Sequence, residues 1–157
     1  MSTEKQGKNL EVSIGNSNDL IVQAQLIRNQ VFTKEQLIPQ ALDLDGLDEV
    51  SDHILVKKND EPIATARLTC QSDGSAVLAR VAVTKSHRGL GLASDIVNAA
   101  IQHAKNLNVT SIEIHAHGYL KNYYEKFGFQ FIKEVEMVGE HQLIEMRLGL
   151  LQAAREW

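Results

Sequence analysis

Leu78-Ala79-Arg80-Val81-Ala82-Val83-Thr84-Lys85-Ser86-His87-Arg88-Gly89-Leu90-Gly91-Leu92-Ala93-Ser94-Asp95-Ile96-Val97 reads as a buried strand, a short basic connection, two glycines and the opening of an amphipathic helix. Such a junction suits an anion, because the first backbone N–H groups of a helix lack intrahelical partners and carry the positive end of the macrodipole. Gly89 and Gly91 remove the Cβ atoms that would hold a phosphate away from those amides. No Ser, Thr, Asp or Asn directly precedes Leu90 to cap the helix, and Ser86 lies too early. The competing reading is a tight turn whose glycines only supply positive φ, with Arg88 on a solvated surface. Other phosphate loops fit poorly. Gly89-Leu90-Gly91 lacks the third glycine of a dinucleotide fingerprint, and no G-K-S/T ends a Walker loop.

The 157 residues, 43% of them hydrophobic, suit one domain with a real core. A formal net charge of −4 argues against a general nucleic-acid binder. The single cysteine, Cys70, cannot form an intramolecular disulfide or a thiolate cluster, and its strand-like setting predicts a buried, inert thiol. Residues Met1 to Asn9 are polar, so they are not expected to be a secretory signal, and no apolar run approaches a membrane span. The expected location is cytoplasmic.

Along the chain, Leu10–Ile14 alternates as a half-buried strand does. Asn16 to Asp19 supply N-caps, and Leu20, Ala24, Ile27 and Val31 predict a helix from Asp19 to about Phe32. Pro39 ends any short second helix. Asp43, Asp45, Asp48 and Glu49 then gather negative charge, as a solvated loop or as a rim that attracts a cationic amine. The spacing is not that of an EF-hand. Strands come next at His53–Lys58, Ile63–Thr69 and Ala76–Val83, with turns at 59–62 and 72–74. After the glycine loop come a helix carrying Leu92, Ile96, Ala99, Ala100, His103 and Leu107, a strand at Thr110–His115, and a short helix from Tyr119 to Lys126 closed by Gly128. Phe129–Val138 and Leu143–Leu148 form a final hairpin around Gly139-Glu140. The order is β-α-(α)-β-β-β-α-β-α-β-β. It predicts an α+β chain (a three-layer α/β arrangement) with a mixed, mostly antiparallel sheet flanked by helices.

Arg88-Gly89-Leu90-Gly91-Leu92-Ala93 resembles the R/Q-x-x-G-x-G/A signature of the GNAT family of acyl-CoA acyltransferases, and Tyr124-Glu125-Lys126-Phe127-Gly128-Phe129 resembles that family's Y-E-K-x-G-F stretch. The element order is also the family's. The resemblance covers roughly residues 10 to 149, leaving a flexible segment at 1–9 and a tail at 150–157. Upstream, Arg28-x-x-Val31-Phe32-x-x-Glu35-Gln36-x-x-Pro39, then Asp43-x-Asp45-x-x-Asp48 and His53, looks like the ElaA-type subgroup. His141-Gln142-Leu143-Ile144-Glu145-Met146 departs from that subgroup's tighter H-x-x-M.

The resemblance implies an N-acetyltransferase that uses acetyl-CoA, without a metal, on a small-molecule or peptide amine. It puts the pyrophosphate on Arg88, Gly89, Leu90, Gly91, Leu92 and Ala93, and pairs the pantetheine arm with the backbone of Val81, Ala82 and Val83, one of whose N–H groups polarises the thioester carbonyl. It selects Tyr124, which also contacts the coenzyme, as the acid for the leaving sulfur. Tyr123, about 100° away on the same helix, packs beside Phe127 instead. For the general base, no carboxylate lies in Leu78–Val83, so Glu35, His115 and His117 are the candidates, with water as a substitute. Glu35 lies on the segment that lines the acceptor side by resemblance. His115 and His117 share one face of a strand end; that pair lacks an evident third metal ligand. Arg28 is expected to hold Glu35 or an acidic loop residue, and His53 and His103 are read as structural.

Two other functions compete: a non-catalytic acyl-CoA-binding module or sensor, and a relative of acyl-homoserine lactone synthases, which do not share the Arg88–Ala93 loop. The apolar residues Leu150, Leu151 and Trp157 suggest packing on the domain or a homodimer.

Overall fold

The computed structural model describes residues 10–150; the expectations for residues 1–9 and 151–157 lie outside the described residues. The elements are β1 (Leu10–Gly15), α1 (Asn18–Arg28), α2 (Gln40–Asp43), β2 (Asp52–Lys58), β3 (Glu61–Cys70), β4 (Ser75–Val83), α3 (Leu92–Asn106), β5 (Ser111–His117), α4 (Lys121–Glu125), β6 (Gln130–Val138) and β7 (His141–Gly149). The strands form one mixed sheet in the order β1-β2-β3-β4-β5-β7-β6, with β4, which feeds the glycine loop, in the middle. The β4–β5 pair is parallel; β1–β2, β2–β3, β5–β7 and β6–β7 are antiparallel. Four α-helices flank this sheet among the described residues, as the order of elements predicts. By contacts the described residues fall into two compact units, 10–69 with 80–100 and 70–79 with 101–150.

In the first unit, the apolar run of β2 buries Ile54, Leu55 and Val56, and β3 buries Ile63 to Leu68 on both faces. Helix α1 starts where the Leu20 N–H donates to Ser17 Oγ at 3.2 Å, satisfying one orphan donor. Its stripe of Ile21, Ala24 and Ile27 continues to Val31, and Ile27 and Val31 pack with Leu55 and Ala82. The helix does not stop near Phe32. It widens into a π-helical stretch, Asn29–Glu35, in which the Gln36 N–H donates to Val31 O at 3.1 Å.

The acidic segment is only partly solvated: Asp43 and Asp48 are buried and with Asp45 meet three arginines, while Glu49 stays exposed. Arg28, fully buried at the end of α1, donates from Nε to both oxygens of Asp43 (3.2 and 3.1 Å) and from Nη1 to Asp48 Oδ1 (2.8 Å). Arg67 of β3 holds Asp45 with two bonds of 2.8 Å and Asp48 at 3.0 Å. Arg80 of β4 reaches Asp43 at 3.0 Å and Asp45 at 3.2 Å. Gln25 donates to Asp48 Oδ2 at 2.8 Å, and His53 donates from Nε2 to the Asp48 carbonyl at 2.9 Å, the structural role expected of it. Three positive and three negative charges therefore cancel while most of their polar atoms find partners. The loop is acidic because it faces guanidinium groups from α1, β3 and β4.

The second unit is built on β5. Residues Ser75–Leu78 of β4 pair with Ser111–Ile114 on one side, and β7 pairs with the whole strand on the other. Strand β5 thus runs three residues past its last β4 partner, and those residues are His115, Ala116 and His117. Ile112, Ile114, Phe129, Ile144 and Met146 are buried here. Gly128, at φ +102°, closes α4; a Cβ there would stand 3.1 Å from Leu148 Cδ1, so glycine is needed twice over. Cys70, expected to be buried, is exposed, because it is the last residue of β3 and lies past the buried run Ile63–Leu68.

Two outcomes are expected from the charge network. Arg28→Met leaves two buried carboxylates short of their partner and should lower unfolding free energy by about 3–5 kcal/mol in urea; a loss typical of a surface site would contradict the burial. Arg67 holds the Asp45 carboxyl down to about 2. Burial alone would raise Asp48, yet bonds from Arg28, Gln25 and Arg67 keep it well below the carboxylate range. Both folded values lie below the unfolded value of about 3.9, so this stabilisation is complete above that pH and lost as pH falls toward 2. Tm should be flat from pH 7 to 5 and drop between pH 4 and 2, with a smaller drop in Asp45→Asn; an identical acid transition in that variant would contradict the linkage.

Candidate functional site

Past Val83 the chain makes a 3₁₀ turn, Lys85–His87, in which the His87 N–H donates to Thr84 O at 3.0 Å. The Thr84 N–H donates to Ile63 O at 2.9 Å, which ties the start of the loop to β3. Gly89 and Gly91 both adopt φ +81°, a conformation that side chains oppose. An ideal Cβ at either would meet no heavy atom within 4 Å, so the two glycines are conformationally required and also face open space. The positive φ angles fit the tight-turn reading, and the open space leaves room for a ligand beside these backbone amides. Helix α3 begins at Leu92, two residues later than expected, and its first intrahelical bond runs from the Asp95 N–H to Gly91 O at 3.1 Å. Gly91 stands at the N-cap and has no side chain with which to cap.

Upstream, Arg80 takes φ +58° within β4, and the β4–β5 ladder ends at the Leu78↔Ile114 pair. A left-handed residue inside a strand is the mark of a bulge, which bends a strand and re-aims the residues beyond it. Val81, Ala82 and Val83 lie past this point as extended backbone, with Ala82 buried in the core and its two neighbours half-buried.

Two predicted site residues with no local reason to pair are brought together. Glu35, at the end of the π-helical stretch, accepts two bonds from Arg88 of the glycine loop, at 2.5 and 2.7 Å. Arg88 also donates from Nε to Val83 O at 3.0 Å. The hydrogen bonds from Arg88 hold the Glu35 carboxyl below its usual range against desolvation, and the charges of Arg88 and Lys85 add more weakly. Arg28, expected to hold Glu35 or an acidic loop residue, takes the loop aspartates. Glu35 is thus a carboxylate at any working pH, a poor proton acceptor but a durable negative charge, and a carboxylate with two bonds from Arg88 keeps lone pairs to offer elsewhere.

Tyr124 is buried on α4, its ring edge-on to Phe129 at 5.8 Å and to Tyr123 at 5.1 Å. Burial, with a minor contribution from Tyr123, pushes its hydroxyl up to about 12. It stays protonated and able to donate. Tyr123 packs against Phe127 at 5.3 Å, as expected.

The histidine pair at the end of β5 divides. His115 is exposed, bonds Glu113 at 2.8 Å and lies 3.9 Å from Glu145 of β7. One ligand atom from each of Glu113, His115 and Glu145 falls within 4.8 Å of the others, so His115 gathers carboxylates and not His117. Arg147 bonds both acids, at 3.0 and 3.3 Å, which makes the group a cross-strand ladder of paired side chains. His117 turns to other rings: Tyr119 stacks on it at 5.3 Å, and His141 meets it edge-on at 4.9 Å.

Sequence reasoning missed Arg67 and Arg80. Neither has a local signal, since their partners lie 19 to 37 residues away. A positive φ at a non-glycine strand residue cannot be read from propensity.

The family model for the acetyltransferase (GNAT) domain matches residues 8–150. Protein ElaA of Escherichia coli is 32% identical over 114 residues, covering 69% of this chain and 74% of that protein. The crystal structure of E. coli ElaA superimposes with a TM-score of 0.80 at 27% identity, over 88% of this chain and 99% of that one. An acyl-CoA N-acyltransferase from Pseudomonas aeruginosa gives a TM-score of 0.81 at 28% identity, over 89% and 99%. A Bacillus subtilis acetyltransferase solved in complex with CoA shares the fold, with a TM-score of 0.68 at 20% identity over 90% and 99%. A mixed sheet with a glycine loop at its central strand, a family model over nearly all described residues and these likenesses agree: the chain is a GNAT acetyltransferase of the ElaA-like subgroup.

Proposed function

We propose that residues 10–149 catalyse acetyl transfer from acetyl-CoA to the amine of a small molecule or peptide, by direct attack on the thioester. The observation that carries this reading is the start of α3 at Gly91, behind two positive-φ glycines that face open space, on residues that match the family's coenzyme signature. That a solved B. subtilis relative of the same fold holds CoA supports the choice of ligand.

Each role rests on the chemistry of its group. Backbone amides of the Arg88–Ala93 loop, at the positive end of α3, take the pyrophosphate, with Arg88 adding charge. The extended backbone of Val81, Ala82 and Val83 pairs with the pantetheine arm, and an N–H of that stretch polarises the thioester carbonyl. The amine attacks the carbonyl carbon: the C–N bond forms, the C–S bond breaks, and the sulfur leaves with the electron pair. Tyr124 donates to that sulfur. From a hydroxyl at about 12 to a thiolate whose thiol titrates near 8.5, complete proton transfer is uphill by roughly 5 kcal/mol in water. The donated hydrogen bond is therefore the main contribution, and transfer becomes accessible only as desolvation raises the thiol. Glu35, kept ionised by Arg88, attracts and orients the acceptor in its ammonium form.

Tyr124→Phe tests the acid role. Coenzyme release with an accepted amine should fall about 10²-fold in kcat, while the Kd for acetyl-CoA stays within a factor of about two. Parallel losses in kcat and affinity would show that Tyr124 serves binding or packing instead.

A further inference from the structure

We infer that His117 is the general base of this reaction, accepting at Nδ1 the proton that the acceptor amine gives up. The inference rests on the acetyltransferase reading above and adds a residue to it.

Three side chains were candidates for the role, and two are committed. Both oxygens of Glu35 accept bonds from Arg88. His115 Nε2 is bonded to Glu113, with Glu145 close behind. His117 differs in kind: its Nδ1 is buried and meets no hydrogen-bond partner among the described residues. A buried polar atom without a partner costs on the order of 1–3 kcal/mol, so a ligand or a proton that satisfies this one is favoured. An amine N–H would satisfy this nitrogen, with the ring as its Nε2–H tautomer.

The ring is placed for use. His117 is the last residue of β5, in the three-residue extension beyond the last β4 partner. The next element is the 3₁₀ turn Gly118–Leu120, which leads directly into α4 and Tyr124. Base and acid are thus seven residues apart on one continuous strand–turn–helix segment. Tyr119 of that turn stacks on the ring, and His141 at the start of β7 fixes its edge, so the imidazole cannot swing freely.

The ionisation state agrees. Burial first, and the neighbouring His141 second, lower His117 from its usual value, so the ring is neutral and able to accept at neutral pH. The groups on the same sheet face are Glu113 and His115 on its own strand and Glu145 and Arg147 on β7; these pair among themselves, which leaves His141 as the charge that bears on His117. In the step itself the ammonium gives one proton to solvent, the neutral amine forms the C–N bond, and the second N–H proton passes to neutral His117 as the amide forms. The thiolate leaves against Tyr124, and the imidazolium returns its proton to solvent.

The test is coenzyme release from acetyl-CoA with a panel of primary alkylamines, a polyamine and a peptide with a free α-amino group, followed as kcat/KM from pH 5 to 9. The full chain should show a rising limb with an apparent pKa below about 6.5. His117→Gln should lose that limb and about 10²-fold in rate at pH 7, with an unchanged Kd for acetyl-CoA. His141→Gln removes a charge that holds His117 down, so the limb should move to higher pH. A role in packing alone would lower the rate equally at every pH and leave the limb where it is. Retention of the limb in His117→Gln, or a limb that His141→Gln does not move, overturns the base assignment while leaving the acetyltransferase reading intact. No release with any amine of the panel, despite coenzyme binding, overturns both.

Discussion

The first unit depends on the closure of three arginines on three aspartates. Arg28 is fully buried, and no helix end can carry an isolated guanidinium into an apolar interior. Its presence there requires Asp43 and Asp48, which in turn require Arg67 and Arg80 to balance the charge. The segment between Pro39 and Val50 has little regular structure of its own, yet it is pinned to α1, β3 and β4 by these bonds. A cluster of this type adds less net stability than apolar packing would. It defines one position for the segment, because each carboxylate is satisfied only in this arrangement.

That position matters for the chemistry at the two ends of the same unit. Arg80, one of the three arginines, is the residue that turns left-handed inside β4. The strand distortion before Val81–Val83 is therefore fixed by an ion pair as well as by backbone strain. The π-helical stretch that continues from Arg28 ends at Glu35, which clasps Arg88 of the glycine loop. The charge network thus bears on the strand that precedes the loop, and the helix it anchors ends on the residue that engages the loop.

Much of this was legible in the sequence. The alternation of Leu10–Ile14, the stripe of α1 and the run from Leu78 through the two glycines into α3 each reflect local periodicity, and the order of elements then fixes the class of sheet. Tyr124 was legible because Tyr-Glu-Lys-Phe-Gly-Phe sits at a helix end that Gly128 must close. The features that were not legible are long-range. The acidic segment reads as solvated because burial depends on Arg67 and Arg80, far away in the chain. Cys70 was expected to be buried because a strand-like setting does not reveal the strand's last residue. Glu35 and Arg88 each had a role from resemblance, but their pairing spans 53 residues and has no local signature. His115 and His117 look equivalent in sequence, and only the cross-strand neighbours Glu145 and His141 tell them apart.

The central claim is that the open, positive-φ loop at the start of α3 holds a coenzyme phosphate. Calorimetric titration tests it most directly, with acetyl-CoA, desulfo-CoA and ATP injected into the full chain and into Gly91→Glu. The predicted result is saturable binding of acetyl-CoA and desulfo-CoA, much weaker binding of ATP, and no heat from acetyl-CoA in a folded Gly91→Glu variant, whose side chain sets bulk and negative charge against the pyrophosphate. Absence of coenzyme binding to the wild-type chain, or undiminished affinity in Gly91→Glu, would mean that Arg88–Ala93 is only a turn and would contradict the claim.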